Sequence, residues 1–222
     1  MSDIMGVEQH IRENWHSLQN EIDEFCSLNG VTKPKIIAVS KTRSVDEIQA
    51  ALDCGIKEFG ENYVNELVVK SKSLSHVNWH FIGHLQRRNT ANLVPIVDYI
   101  HSVDSLKLVN RLGKLEYTGK VMIQVNLSLE KTKSGILPDK SIINMLLEGL
   151  HENKLKVIGL MAIGHPNWKQ VERIQHFSKV AELNRFFNFT ELSLGMSADW
   201  KEAILAGSTM IRIGTRIFGQ RS

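Results

Sequence analysis

Lys41 is the residue of this sequence best placed to act as a nucleophile. It closes the run Val39-Ser40-Lys41-Thr42, where an apolar strand-like stretch gives way to a helical pattern. Strand alternation puts Lys41 on the same face as Ile37 and Val39. An amine beside apolar neighbours has its charged form disfavoured, and the neutral amine is the form that captures aldehydes. Periodicity alone favours a blander reading, a surface lysine snorkelling out of the strand end. Lys41 does not carry a function unaided.

Two later segments offer a seat for an anion. In Ser193-Leu194-Gly195-Met196-Ser197-Ala198-Asp199 the glycine permits close backbone approach. Ser197 falls where a helix N-cap would present a hydroxyl and backbone N–H groups. Arg212-Ile213-Gly214-Thr215-Arg216 again joins a glycine, a hydroxyl and cations. The plain alternative is ordinary turn and cap chemistry. Phe59-Gly60-Glu61-Asn62-Tyr63 and His80-Phe81-Ile82-Gly83-His84-Leu85-Gln86 add further polar groups. His80, on an apolar strand, reads as a satisfied core histidine.

These groups meet only if the chain gathers its strand ends, and the hydrophobic pattern provides for that. Residues 7–28 form an amphipathic helix with Val7, Ile11, Trp15, Leu18, Ile22 and Phe25 on one stripe, closed by Asn29-Gly30. Strands are predicted over 35–40, 56–60, 79–82, 99–101, 121–125, 157–161, 192–194 and 209–213. Helices are predicted over 45–52, 63–74, 85–94, 106–115, 142–150, 171–187 and 200–205. Runs such as Ile36 to Val39 are continuously apolar, as in parallel strands covered on both faces. Neither nucleotide-loop signature of an open doubly wound sheet is present. The expected fold is α/β, a single (β/α)8 TIM barrel over residues 1–222, with an extra N-terminal helix (residues 1–30) packed on it. Such barrels work at the C-terminal strand ends and often bind phosphate after strands seven and eight. Finding both anion-seat segments there favours phosphate.

Composition removes several classes. Among 222 residues, 27 Lys and Arg against 24 Asp and Glu give a net charge of +3, too balanced for a nucleic-acid binder. Arg87-Arg88 reads as a solvated helix face. Cys26 and Cys54 are far apart, forming neither a metal-ligand pair nor a disulfide framework. The N-terminus carries Asp3, Glu8, Arg12 and Glu13 rather than a leader's apolar run, and no stretch approaches the ~20 apolar residues of a membrane helix. A cytoplasmic protein without membrane contact, monomeric and free of metal, is expected.

Seven segments, in order, resemble the YggS/PROSC family of pyridoxal 5′-phosphate (PLP)-binding proteins linked to vitamin B6 homeostasis. They are Ala38-Val39-Ser40-Lys41-Thr42, Phe59-Gly60-Glu61-Asn62-Tyr63, Trp79-His80-Phe81-Ile82-Gly83, Lys133-Ser134-Gly135, Gly159-Leu160-Met161-Ala162, Ser193-Leu194-Gly195-Met196-Ser197 and 207–219. Each piece is weak alone; the ordered set, spanning nearly the whole chain, is specific. The resemblance implies a fold-type III PLP barrel, like that of alanine racemases, with the cofactor's aldimine on Lys41. It puts Ser197, Gly214 and Thr215 near the phosphate, Arg212 against the pyridine nitrogen and Asn62 close to the cofactor. His84 stands at a position the family varies.

If Arg212 meets the ring nitrogen, its permanent charge disfavours a protonated pyridinium and weakens the cofactor as an electron sink. Racemisation needs an acid/base on each substrate face. The second one, a tyrosine from a further domain in alanine racemases, is not expected in a chain that ends at Ser222, with tyrosines only at 63, 99 and 117. The expected role is therefore not catalytic: PLP held as a Schiff base and supplied to apo-enzymes. An amino-acid racemase is the leading alternative, and a sugar-phosphate barrel enzyme without PLP a third.

Overall fold

The computed structural model describes residues 2–128 and 133–220. Helix α1 (Ser2–Asn29) buries Ile11, Trp15, Leu18, Ile22 and Cys26. Its end is marked by the Asn29 side chain, which donates to the Phe25 carbonyl at 2.8 Å, and by Gly30 in the left-handed region.

Strands and helices then alternate. β1 (Lys35–Val39) leads to α2 (Val45–Asp53), which opens on a capping box between Ser44 and Glu47. β2 (Glu58–Glu61), α3 (Val64–Ser71) and β3 (Asn78–Phe81) follow. The helix expected over 85–94 begins late. A 3₁₀ turn, Arg87–Asn89, precedes only α4 (Thr90–Leu93). The Thr90 hydroxyl donates to the Arg87 carbonyl at 2.7 Å and tightens that turn, and Pro95 lacks the N–H a longer helix would need.

Beyond it come β4 (Tyr99–Val103), α5 (Leu106–Lys114), β5 (Lys120–Val125) and α6 (Lys140–Glu152). β6 (Lys156–Ala162), α7 (Gln170–Phe186), β7 (Glu191–Met196), α8 (Trp200–Leu205), β8 (Met210–Ile213) and the short α9 (Thr215–Phe218) complete the chain. The eight strands are parallel and form a closed ring in chain order, with β8 paired back onto β1 so that Ile37 lies opposite Arg212. Helix α1 lies against α2 and α9.

Strand alternation divides the core. Ile36, Ala38, Phe59, Phe81, Ile100, Val121, Ile123 and Leu160 point outward to the helices. Ile37, Tyr99, Met122, Ile158, Met161 and Met210 fill the barrel interior. Each fully buried aliphatic side chain stabilises the fold by roughly 1.5–3 kcal/mol, so the helix-facing layer supplies most of the cohesion. The interior also holds Glu58, His80, His101, Ser193 and Arg212, and these bear on function. No described helix is long and apolar enough to cross a membrane.

Candidate functional site

Lys41 lies just past β1 and is half-buried. Both neighbours' backbone groups are gripped from α3. The Lys70 ammonium donates to the Ser40 carbonyl at 2.7 Å, and the Thr42 N–H donates to the Glu66 carboxylate at 2.9 Å. Between them sits Glu61, which accepts from Lys70 at 2.7 Å and from the Ser40 hydroxyl at 2.6 Å. Burial pushes Glu61 up to about 7, against the pull of Lys70 and Ser40. Thr42 adopts φ +66°, an unfavourable conformation for a β-branched residue, and the clamp on either side of Lys41 holds it there. Glu66 and Lys70 stand four residues apart on one helix face, a spacing that by itself does not distinguish a surface pair from a buried anchor.

Arg212 comes from β8 and is almost fully buried inside the barrel. Its guanidinium donates to the Ser193 carbonyl at 2.8 Å, the Ser193 hydroxyl at 2.6 Å and the Ala162 carbonyl at 2.9 Å. Burial draws its pKa down to about 10, with Asp199 opposing, so it stays cationic at neutral pH.

The loops after β7 and β8 meet, and the Thr215 hydroxyl donates to the Ser197 hydroxyl at 3.2 Å. One expectation is corrected: the N-cap of α8 is Asp199, not Ser197. The chain turns through Gly195 at φ +86°, and the Asp199 carboxylate accepts the Met196 N–H at 2.6 Å, which places the helix start two residues later. Gly214 precedes α9, where a Cβ would come 3.2 Å from the Val39 carbonyl. It therefore packs on the strand that leads to Lys41.

Asn62 follows β2, the strand paired with β1 on the side away from β8. A cavity of about 720 Å³ opens at the C-terminal ends of β2, β5, β6 and β7. Its lining includes Asn62, Gln124 at the end of β5, Asn126, Arg173 of α7 and Asp199, and of the expected site residues it takes in Asn62 but not Lys41, Ser197, Arg212, Gly214 or Thr215. The volume suits a small organic ligand. Among the described residues, the Asn62 Oδ1 is buried and accepts no hydrogen bond, an acceptor left for something else to satisfy. Gly83 keeps Asn62 in place, since a Cβ there would fall 2.2 Å from the Asn62 carbonyl. His84 is exposed and pairs with the Ser134 hydroxyl at 3.0 Å. A second hollow of about 450 Å³ lies at the opposite end, among Asn78, Asp98, Tyr99, Lys120 and Lys156, away from all the expected site residues.

His80 is a satisfied core residue, as expected, but its partners were not foreseen. It stacks on Tyr99 with ring centres 4.1 Å apart and contacts His101 at 2.9 Å and Glu58 at 2.6 Å. His101 reaches the Ser193 hydroxyl at 3.1 Å. Burial lowers the pKa of both histidines, with Glu58 opposing at His80. These contacts join residues distant in sequence, and strand periodicity carries no sign of them.

A closed eight-stranded barrel with a lysine past its first strand and an arginine inside its last defines a class. Residues 8–222 match the family model of the alanine racemase N-terminal domain. The human pyridoxal phosphate homeostasis protein is 37% identical, covering 85% of this chain and 77% of its own. The one from Haemophilus influenzae is 36% identical, covering 96% and 97%. PipY of Synechococcus elongatus, solved without PLP, is 31% identical with a TM-score of 0.81 over 94% of this chain and 100% of its own. PipY with PLP bound gives 29% and 0.81, with the same coverage. Alanine racemase of Clostridium difficile, at 12% identity and a TM-score of 0.76 over 96% of this chain and 57% of its own, shares the fold. This chain belongs to the alanine racemase N-terminal domain family and, within it, to the pyridoxal phosphate homeostasis proteins.

Proposed function

We propose that this chain binds PLP as a Schiff base on Lys41 and serves intracellular PLP homeostasis by holding the aldehyde and supplying it to apo-enzymes. One observation carries the reading: the paired hydroxyls of Ser197 and Thr215 and the buried cation Arg212 stand on adjacent strand ends, beside the strand that delivers Lys41. The relatives named for pyridoxal phosphate homeostasis, and PipY with PLP bound, support it.

The residues fit such a ligand. Ser197 and Thr215 offer hydroxyls to the phosphate, with the N–H groups at Gly214 and Thr215, the start of a helix whose first donors lack intrahelical acceptors. Arg212 presents a fixed cation to the pyridine nitrogen and cannot take a proton from it. The Asn62 Oδ1, just past the strand next to β1, offers an unused acceptor. Lys41 contributes the amine that condenses with the aldehyde, and the Ser40 and Thr42 anchors keep its backbone still. Bound PLP supplies a reversible carbonyl and a weak electron sink.

A carrier suits this arrangement better than a racemase. Tyr99 and Tyr117 line the hollow at the opposite end of the barrel, and Tyr63, exposed at the start of α3, lies outside the lining of the 720 Å³ cavity. The two free cysteines fit a reducing cytoplasm, and we place the protein there as a monomer of one domain, residues 1–222.

The test is to incubate the purified chain with PLP, reduce with borohydride and map the labelled peptide. The expected result is an absorbance band near roughly 420 nm, as cofactor-borne chemistry gives, with the label on Lys41. A colourless protein, or a label elsewhere, ends the reading. Rapid α-proton exchange on amino acids that vanishes in Lys41→Ala would replace the carrier with a racemase.

A further inference from the structure

A chain of polar groups runs through the barrel from mouth to floor, and both ends dictate its polarity. At the mouth, Arg212 has only donors. Its Nη1 donates to the Ser193 Oγ at 2.6 Å, so the Ser193 hydroxyl hydrogen is free to turn to the His101 Nδ1 at 3.1 Å. A neutral imidazole that accepts at Nδ1 carries its hydrogen on Nε2. The His101 Nε2–H then donates to the His80 Nδ1 at 2.9 Å, and the His80 Nε2–H donates to the Glu58 carboxylate at 2.6 Å.

The same order follows from the floor. An ionised carboxylate only accepts, so Glu58 requires Nε2–H on His80, which requires Nε2–H on His101, which requires the Ser193 hydroxyl to donate. Cation and carboxylate thus impose one direction on three neutral groups between them. Burial pushes Glu58 up, but its hydrogen bond from His80 brings the net pKa below the ordinary carboxylate value. Lys35, 3.8 Å from Glu58, adds charge at the floor.

We propose that Ser193, His101, His80 and Glu58 are positioning residues for Arg212, a one-way hydrogen-bond relay that ties the guanidinium at the mouth to a carboxylate at the barrel floor. Among the described residues no carboxylate forms an ion pair with Arg212 within 4.0 Å; its nearest partners are two carbonyls and one hydroxyl. The relay lets a distant carboxylate orient the hydroxyl that holds it. Chains of this kind polarise one another in a low-dielectric interior. The consequence for a ligand rests on the PLP reading above; the relay itself does not.

The experiment uses the full chain, first without ligand. Nitrogen-resolved NMR of labelled histidine should find both His80 and His101 as neutral Nε2–H tautomers at neutral pH. A neutral Nδ1–H tautomer or a cationic ring at either position would overturn the relay. His80→Gln, whose amide can accept from His101 and donate to Glu58, should leave the His101 tautomer and the hydrogen exchange of the Arg212 guanidinium unchanged. His80→Leu and Ser193→Ala, once shown to be folded, should speed that exchange about tenfold, the worth of one lost hydrogen bond. Wild-type exchange in both would sink the proposal. With PLP added, the bound band should move in His80→Leu and stay put in His80→Gln. If the wild type takes up no PLP, the functional reading fails while the tautomers and the exchange rates still judge the relay.

Discussion

The Lys70 ammonium holds the Ser40 carbonyl at 2.7 Å, one residue before Lys41 and thirty residues away in sequence. One lysine thus fixes the backbone next to another, the one expected to carry the chemistry. It shares its charge with Glu61, almost without exposure to water.

Breaking that pair should be costly and dependent on pH. Lys70→Met leaves Glu61 buried without its cation, a change worth about 3–5 kcal/mol. Glu61 is already raised to about 7 with the lysine present, and without it rises further. A carboxyl raised by folding keeps its stability contribution below its unfolded value and loses it as pH climbs through the folded one. The Lys70→Met penalty should therefore be larger at about pH 8 than at about pH 5.5. Urea unfolding at both pH values checks it; a penalty independent of pH would count against the clamp.

The histidines work in the opposite sense. Burial lowers the pKa of His80 and, further, of His101, so both enter the fold neutral. Their contribution is complete above the unfolded histidine value of about 6.5 and is lost as pH falls through their folded values. Wild-type stability should drop on going from about pH 7 to about pH 5, and His101→Gln should flatten that drop. Parallel profiles would refute this.

Ser197→Ala should weaken PLP binding without preventing the covalent link. One hydrogen bond to a charged group contributes ~1.5–3 kcal/mol, roughly ten- to a hundredfold in Kd. Lys41→Ala should instead abolish the reducible adduct while phosphate contacts retain some PLP. Spectroscopic titration and borohydride trapping separate the two behaviours.

Gly83→Ala should act through Asn62. The new methyl would meet the Asn62 carbonyl at 2.2 Å, too close for side-chain adjustment to relieve, so the Asn62 backbone must move. Reduced PLP affinity is expected, with a loss of stability of about 1–3 kcal/mol. Unchanged affinity would exclude Asn62 from the site.

Much of the barrel was legible because its strands announce themselves locally. Ile36 to Val39 and Val157 to Leu160 are apolar throughout, and chain order became ring order with no further choice. The helix expected over 85–94 begins late and as a 3₁₀ turn, because its apolar spacing could not reveal that Gln86 stays extended or that Arg87–Asn89 winds more tightly. Lys41, Arg212 and the Ser197–Thr215 pair were reached through the ordered motifs. Ser197 was misassigned as a cap because Asp199, two residues on, competes for the same turn. Ser193 and His101, 92 residues apart, meet only once the ring is closed. Neither sequence neighbour nor period marks that meeting.

Arg212 is seated on three acceptors before any ligand arrives. An arginine side chain carries about 2 kcal/mol of rotamer entropy, and here that freedom is surrendered during folding. A molecule entering the mouth meets a cation already immobile, so its departure liberates no arginine motion to hasten it. Residence time should be governed instead by the contacts it makes with the hydroxyls and the amine at the rim.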